Sequence, residues 1–264
     1  MAAPVYNSSV KVSSASNVAS LTSASWTIAG SNRYLVASAN SAAGTTVDPT
    51  AVRWGGSGGT AMSKQGASLT YNSAIRRMSC WTLLAPTAQS STLYCLWPSN
   101  QDNTALMGVS ATGVNQSTPT GTIASATGAS QTPTVNATTV ADDFVIDMVG
   151  YWSDGTTPLL TVGAGQTSRL EIEGSPFLDD AWGMSTETAT GTSTTMSWSG
   201  SGTFAPAWGI YAVPLKPVAG ATATPMRSLM GVGLGVRLFA ASQLRESLSR
   251  RKLFKLVGAL LYRK

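Results

Sequence analysis

The chain has 264 residues, enough to bury a sizeable core in one large β-domain or two small ones. Only 11% of them are charged, against roughly 25% in an ordinary soluble domain, so the surface is polar but weakly charged. Histidine is absent altogether, which removes the commonest general base, the commonest zinc ligand and the usual partner of a catalytic Ser or Cys, and points away from an enzyme.

The N-terminus, Met1-Ala2-Ala3-Pro4-Val5-Tyr6, lacks the basic and apolar regions of a secretory signal peptide. From residue 8 to about 216 short β-runs alternate with turn residues. Arg33 to Ser38, Met78 to Leu84 and Thr92 to Trp97 read as strands, with Gly55 to Gly59 and Ser99 to Asn103 as turns. If the runs 76–84 and 92–97 form a hairpin, Cys80 and Cys95 sit almost opposite each other. A disulfide and two buried thiols are then the alternatives. The stretch 117–141 is rich in Ser, Thr, Ala, Gly and Pro; it reads as a linker between subdomains or, preferably, as two polar edge strands.

Asp143 to Val149 is nearly apolar throughout and predicts a buried strand, whereas Thr194 to Ser199 alternates and predicts a half-buried one. Phe204, Trp208 and Ile210 fall on one face of the last run. About a dozen strands at this spacing predict an all-β, antiparallel sandwich over 1–217.

Character changes near Pro214. Residues 218–235 read as an extended, Gly-punctuated linker, and 236–264 as a basic amphipathic arm. Ala241, Leu244 and Leu248 share one helical face, and Leu253, Leu256, Val257 and Leu260 another, with Arg250, Arg251 and Lys252 between. Residues 226–264 hold nine Lys or Arg against one Glu, which is +8, while residues 1–225 hold eight basic against eleven acidic, which is −3, so all the net positive charge lies after residue 225. Leu229 to Ala241 is the longest approach to a membrane span, and Arg237 interrupts it.

Few residues suggest chemistry. Asp142-Asp143 and Asp179-Asp180 are adjacent pairs whose members point to opposite faces of a strand, so they are expected to be solvated turn residues rather than an acid/base dyad or, with Asp154, a calcium site. Gly55-Gly56-Ser57-Gly58-Gly59 lacks the Lys and helix of a phosphate loop. No catalytic residue, metal ligand or cofactor is expected. Among eight tryptophans, Trp81, Trp198 and Trp208 are expected in the core, while Trp54 and Trp152, beside turns, are candidate glycan contacts. Leu244, Leu248, Arg250, Arg251, Lys252, Leu253, Phe254, Lys255 and Leu256 form the candidate partner-binding face of the arm.

Four segments carry a resemblance: Val52-Arg53-Trp54-Gly55-Gly56, Cys80-Trp81-Thr82-Leu83-Leu84-Ala85-Pro86, Gly113-Val114-Asn115-Gln116-Ser117-Thr118-Pro119 and Gly163-Ala164-Gly165-Gln166-Thr167. Over residues 15–213 the chain resembles jelly-roll-like β-sandwich domains of phage virion and secreted bacterial proteins. The resemblance implies a non-catalytic adhesive or structural role and supplies no catalytic residue. With no secretion signal and a basic arm appended, the expectation is a phage virion structural protein made in the host cytoplasm. A capsid decoration or cement protein, or a minor tail component, fits best; its partners would be other virion subunits and copies of itself. The alternatives are a carbohydrate-binding adhesin and a peripheral membrane protein whose arm lies on anionic lipid; nucleic acid is a further ligand for the basic cluster.

Overall fold

The computed structural model describes residues 2–42, 47–155, 157–174, 176–177, 179–202 and 206–219. The arm, with all nine of its candidate partner-binding residues, and Phe204 lie outside the described residues. Residues Met1–Thr222 form one compact unit.

The described residues are all-β. In chain order the first strands are β1 (Val5–Ser14), β2 (Val18–Thr22), β3 (Trp26–Ile28), β4 (Tyr34–Ala42), β5 (Ala51–Trp54), β6 (Thr60–Ala61), β7 (Ser63–Tyr71), β8 (Arg76–Leu84), β9 (Gln89–Ser91), β10 (Leu93–Gln101) and β11 (Thr104–Thr112). There follow β12 (Ala124–Gly128), β13 (Thr134–Thr138), β14 (Phe144–Trp152), β15 (Leu160–Val162), β16 (Thr167–Ile172), β17 (Asp180–Thr188), β18 (Ser193–Gly200) and β19 (Ala207–Leu215).

These strands build two β-sandwiches. In the first, a five-stranded sheet of order β1-β11-β4-β8-β7 faces a four-stranded sheet of order β2-β10-β5-β6, with the short pair β3-β9 alongside. In the second, a five-stranded sheet of order β12-β19-β14-β17-β16 faces a three-stranded sheet of order β13-β18-β15. Strand neighbours within the sheets pair antiparallel, for example Tyr34 opposite Leu84 and Phe144 opposite Thr188.

Three apolar cores separate four layers. Leu35, Ala37, Trp81 and Leu106 of the first five-stranded sheet pack on Val52, Trp54, Leu93 and Cys95 of its outer sheet. Val145, Tyr151, Ile210 and Ala212 of the second pack on Val135, Met196 and Trp198. The third core lies between the two five-stranded sheets, where Val36, Met78, Cys80 and Met107 meet Ile146, Trp182, Met184 and Tyr211. The central strands β4, β14 and β19 are therefore buried on both faces, β14 and β19 reading as largely apolar runs and β4 carrying buried Ser38, Asn40 and Ser41, while β13 and β18 alternate because one face meets solvent. Close packing shapes the outer layer as well: at Gly183 a Cβ would come within 2.7 Å of the Trp198 ring, so the indole requires glycine there.

Two expectations need correction. The chain folds into two stacked sandwiches rather than one over 1–217, because alternation sets how many faces a strand buries and not which sheet receives it. The segments around Cys80 and Cys95 do not form a hairpin: β8 pairs with β4 and β7, and β10 with β2 and β5. The connection crosses between sheets, so Cys80 enters the inner core and Cys95 the outer one, both as buried free thiols. The polar stretch after residue 117 does contain two edge strands, β12 and β13.

Candidate functional site

Trp54 is not a surface contact. It is 1% exposed, stacks edge-on against Trp26 with centroids 5.4 Å apart, and donates its indole N–H to the Thr87 carbonyl at 3.2 Å. The turn after it is tight: the Gly59 Cα is so close to the Trp54 carbonyl that an added Cβ would lie at 2.2 Å. Trp81, Trp198 and Trp208 are buried, as their strand positions predict.

Trp152 has a different setting. It ends β14 and lines a cleft of about 470 Å³ together with Tyr71, Asn72, Ser73, Thr127 and Pro206. The turn on one side is strained: Asn72, Ser73 and Ala74 take φ of 49°, 55° and 65°, three consecutive non-glycine residues in the left-handed region. The indole nitrogen of Trp152 and the amide nitrogen of Asn72 are buried, and neither meets a hydrogen-bond partner among the described residues. Each is a donor whose burial without an acceptor costs about 1–3 kcal/mol.

Behind the cleft sits a buried ion pair. Arg76 Nε and Nη2 donate to Asp180 Oδ1 and Oδ2 at 2.9 and 3.2 Å, and Asn103 Nδ2 donates to Asp180 Oδ2 at 3.1 Å. The Arg76 guanidinium lies 5.4 Å from the Trp152 ring centroid, close enough for a cation–π contact. Burial pushes the Asp180 carboxyl above its ordinary range, and the hydrogen bonds and charge of Arg76 and the Asn103 amide oppose it.

One member of each aspartate pair departs from the solvated-turn expectation. Asp143 and Asp180 are both fully buried, Asp143 accepting the Val140 N–H at 3.0 Å with Lys216 Nζ at 3.6 Å. A third buried carboxylate, Asp147, accepts the Ser185 N–H and hydroxyl at 2.8 and 2.7 Å, the Trp198 indole N–H at 2.7 Å and the Gln166 amide at 3.2 Å. Gln166 and Trp198 thus join loop and outer sheet to the inner strands. Among the described residues no three acidic, Cys or His side chains group to hold a metal ion.

Sequence reasoning singled out Trp152 and Asp180 but missed Arg76, Asn72 and Tyr71. Asn72-Ser73 between two β-runs was the available signal, since Asn adopts left-handed turn geometry readily; nothing local placed that turn beside Trp152. Compared with protein-family models, with characterised proteins and with solved structures, the chain matches none.

Proposed function

We propose that the protein is a structural component of a phage virion, a capsid decoration or cement protein or a minor tail component, made in the host cytoplasm and anchored to neighbouring subunits through the arm at 236–264. The observation that carries this reading is strand order. In each sandwich the first and last strands are neighbours in one sheet, the second and the penultimate in the other, as in β1-β11-β4-β8 with β2-β10-β5-β6 and in β12-β19-β14-β17 with β13-β18-β15. That order supports a jelly-roll reading, an architecture used by viral capsid and lectin domains. The weakly charged surface and the basic, amphipathic arm support the same reading. Truncation after Thr222 tests it. The truncated protein is expected to keep its β-sheet circular dichroism and its melting transition, and to fail to co-sediment with particles that bind the full chain. Equal co-sedimentation of both would remove the arm as the anchor.

A second reading, a carbohydrate-binding adhesin, is favoured by the cleft at Trp152. An indole face suits the C–H surface of a sugar ring, and the exposed hydroxyls of Ser73 and Thr127 in the same lining suit its hydroxyl groups. A glycan array of the full chain decides it. Binding should fall at least about tenfold in Trp152→Phe and Asn72→Ala, which is about 1.4 kcal/mol; a flat array at high protein concentration ends this reading.

A further inference from the structure

The two sandwiches share one strand order and register in their five-stranded sheets. Setting Tyr34 on Phe144, the first residues of β4 and β14, carries the remaining inner strands into correspondence without a gap. Tyr34 pairs with Leu84 on one side and Ala111 on the other; Phe144 pairs with Thr188 and Leu215. Loop bonds repeat too. The Ala85 N–H donates to the Arg33 carbonyl at 3.0 Å and the Ala189 N–H to the Asp143 carbonyl at 2.8 Å, each just beyond the corresponding strand ends. The Gly55 N–H donates to Thr92 and the Gly163 N–H to Ser197 at the corresponding turn of the outer sheets. Facing is preserved as well: Met78 and Trp182, Cys80 and Met184, Met107 and Tyr211, and Val109 and Val213 all enter the inner core.

Their packing follows a two-fold relation. β1 of the first sandwich lies against β16 of the second, and the corresponding strands, β12 and β7, lie against each other in exchanged roles. β11 meets β16 as β19 meets β7, and β4 meets its own counterpart β14. Arg76 and Asp180 occupy corresponding positions at the starts of β8 and β17, and they bond to each other. A residue meeting its own counterpart is the signature of an isologous interface, the geometry of a two-fold dimer.

We infer that the inner face of each five-stranded sheet is a homotypic interaction surface, and that the partner it fits is a second copy of the same sandwich, which this chain supplies in cis as a fused dimer. A single sandwich would leave Val36, Met78, Met107 and Val109, or Ile146, Trp182, Met184 and Val213, open to water, an apolar patch of a kind that marks an interaction site. The outward sheets have no such shared duty and differ in chemistry. Thr134, Asn136, Thr138 and Thr195 make one neutral outer face, whereas Arg53, Tyr94 and Leu96 line the other. This inference does not depend on the virion reading.

The test uses the full chain carrying a protease site between the exposed residues Ser117 and Thr118, in the junction between the sandwiches. After cutting, native mass spectrometry should find the two fragments bound as one species of the intact mass, while a denaturing gel shows both. Separation on cutting would overturn the interface. Unfolding the cut protein in urea and refolding it should give pairs of 1–117 and pairs of 118–264 beside the mixed pair. Recovery of the mixed pair alone would overturn the homotypic claim. A second measurement is the exchange of Arg76→Asp with Asp180→Arg. The doubly exchanged chain should melt above both single variants, because the positions correspond; a double variant melting no higher than the worse single would count against the two-fold relation.

Discussion

Asp147 shows how a buried charge is held in this protein. Its four donors come from the backbone and hydroxyl of Ser185 and from Trp198 and Gln166, and burial still dominates, pushing the carboxyl up to about 6. A carboxyl raised in the folded state stabilises fully below its unfolded value, near 4, and that contribution is lost as pH rises through about 6. Urea melts of the wild type and Asp147→Asn should therefore diverge with pH. The variant is expected to be less stable by about 1–3 kcal/mol near pH 4, since its amide faces buried donors. The wild-type advantage should shrink by up to about 3 kcal/mol between pH 4 and pH 7; a pH-independent difference would show that Asp147 does not titrate in that window. Trp54 belongs to this scale as well. Trp54→Ala should cost about 3–5 kcal/mol as a core deletion, a loss that a surface glycan contact would not produce.

Among the elements, the ends of β8, β14 and β17 converge on one corner. Arg76, Asp180 and Trp152 meet there, next to the left-handed turn at Asn72. Removing one member of a buried ion pair leaves an uncompensated charge and costs about 3–5 kcal/mol, whereas replacing both with apolar residues costs far less. Thermal melts of Arg76→Leu, Asp180→Leu and the double variant should show that order, with the double variant the most stable of the three. Additive losses would mean that the two residues act independently. The sequence marks β14 and β18 plainly, one by a nearly apolar run broken by Asp147 and the other by alternation, and the structure agrees on both. It could not mark the corner, because the turn from Asn72 to Arg76 is far in the chain from Trp152 and Asp180, and the three parts meet only after the sheets stack.

For the whole molecule, the stacking of four layers separates the two thiols. Cys80 lies between the five-stranded sheets and Cys95 within the first sandwich, and burial pushes the Cys80 thiol up to about 12. The native protein should therefore leave both thiols unreacted with a thiol reagent at pH 8, release both in denaturant, and migrate identically with and without reductant. Rapid labelling of the native fold would contradict this packing. Residue type and spacing alone determined the all-β class, the buried and half-buried characters of β14 and β18, and the separation of a mildly acidic body from a basic arm, since these follow from local periodicity and charge; the expected turn at Ser99 to Asn103 was shorter, because β10 runs on to Gln101. Only the tertiary structure decided which strands are neighbours, that there are two sandwiches, and that Trp54 is core while Trp152 lines a cleft. The physical reason is that strand pairing and sheet stacking are long-range choices: a β-strand carries its facing in its own alternation, but it finds its partner only through the surfaces that other strands present.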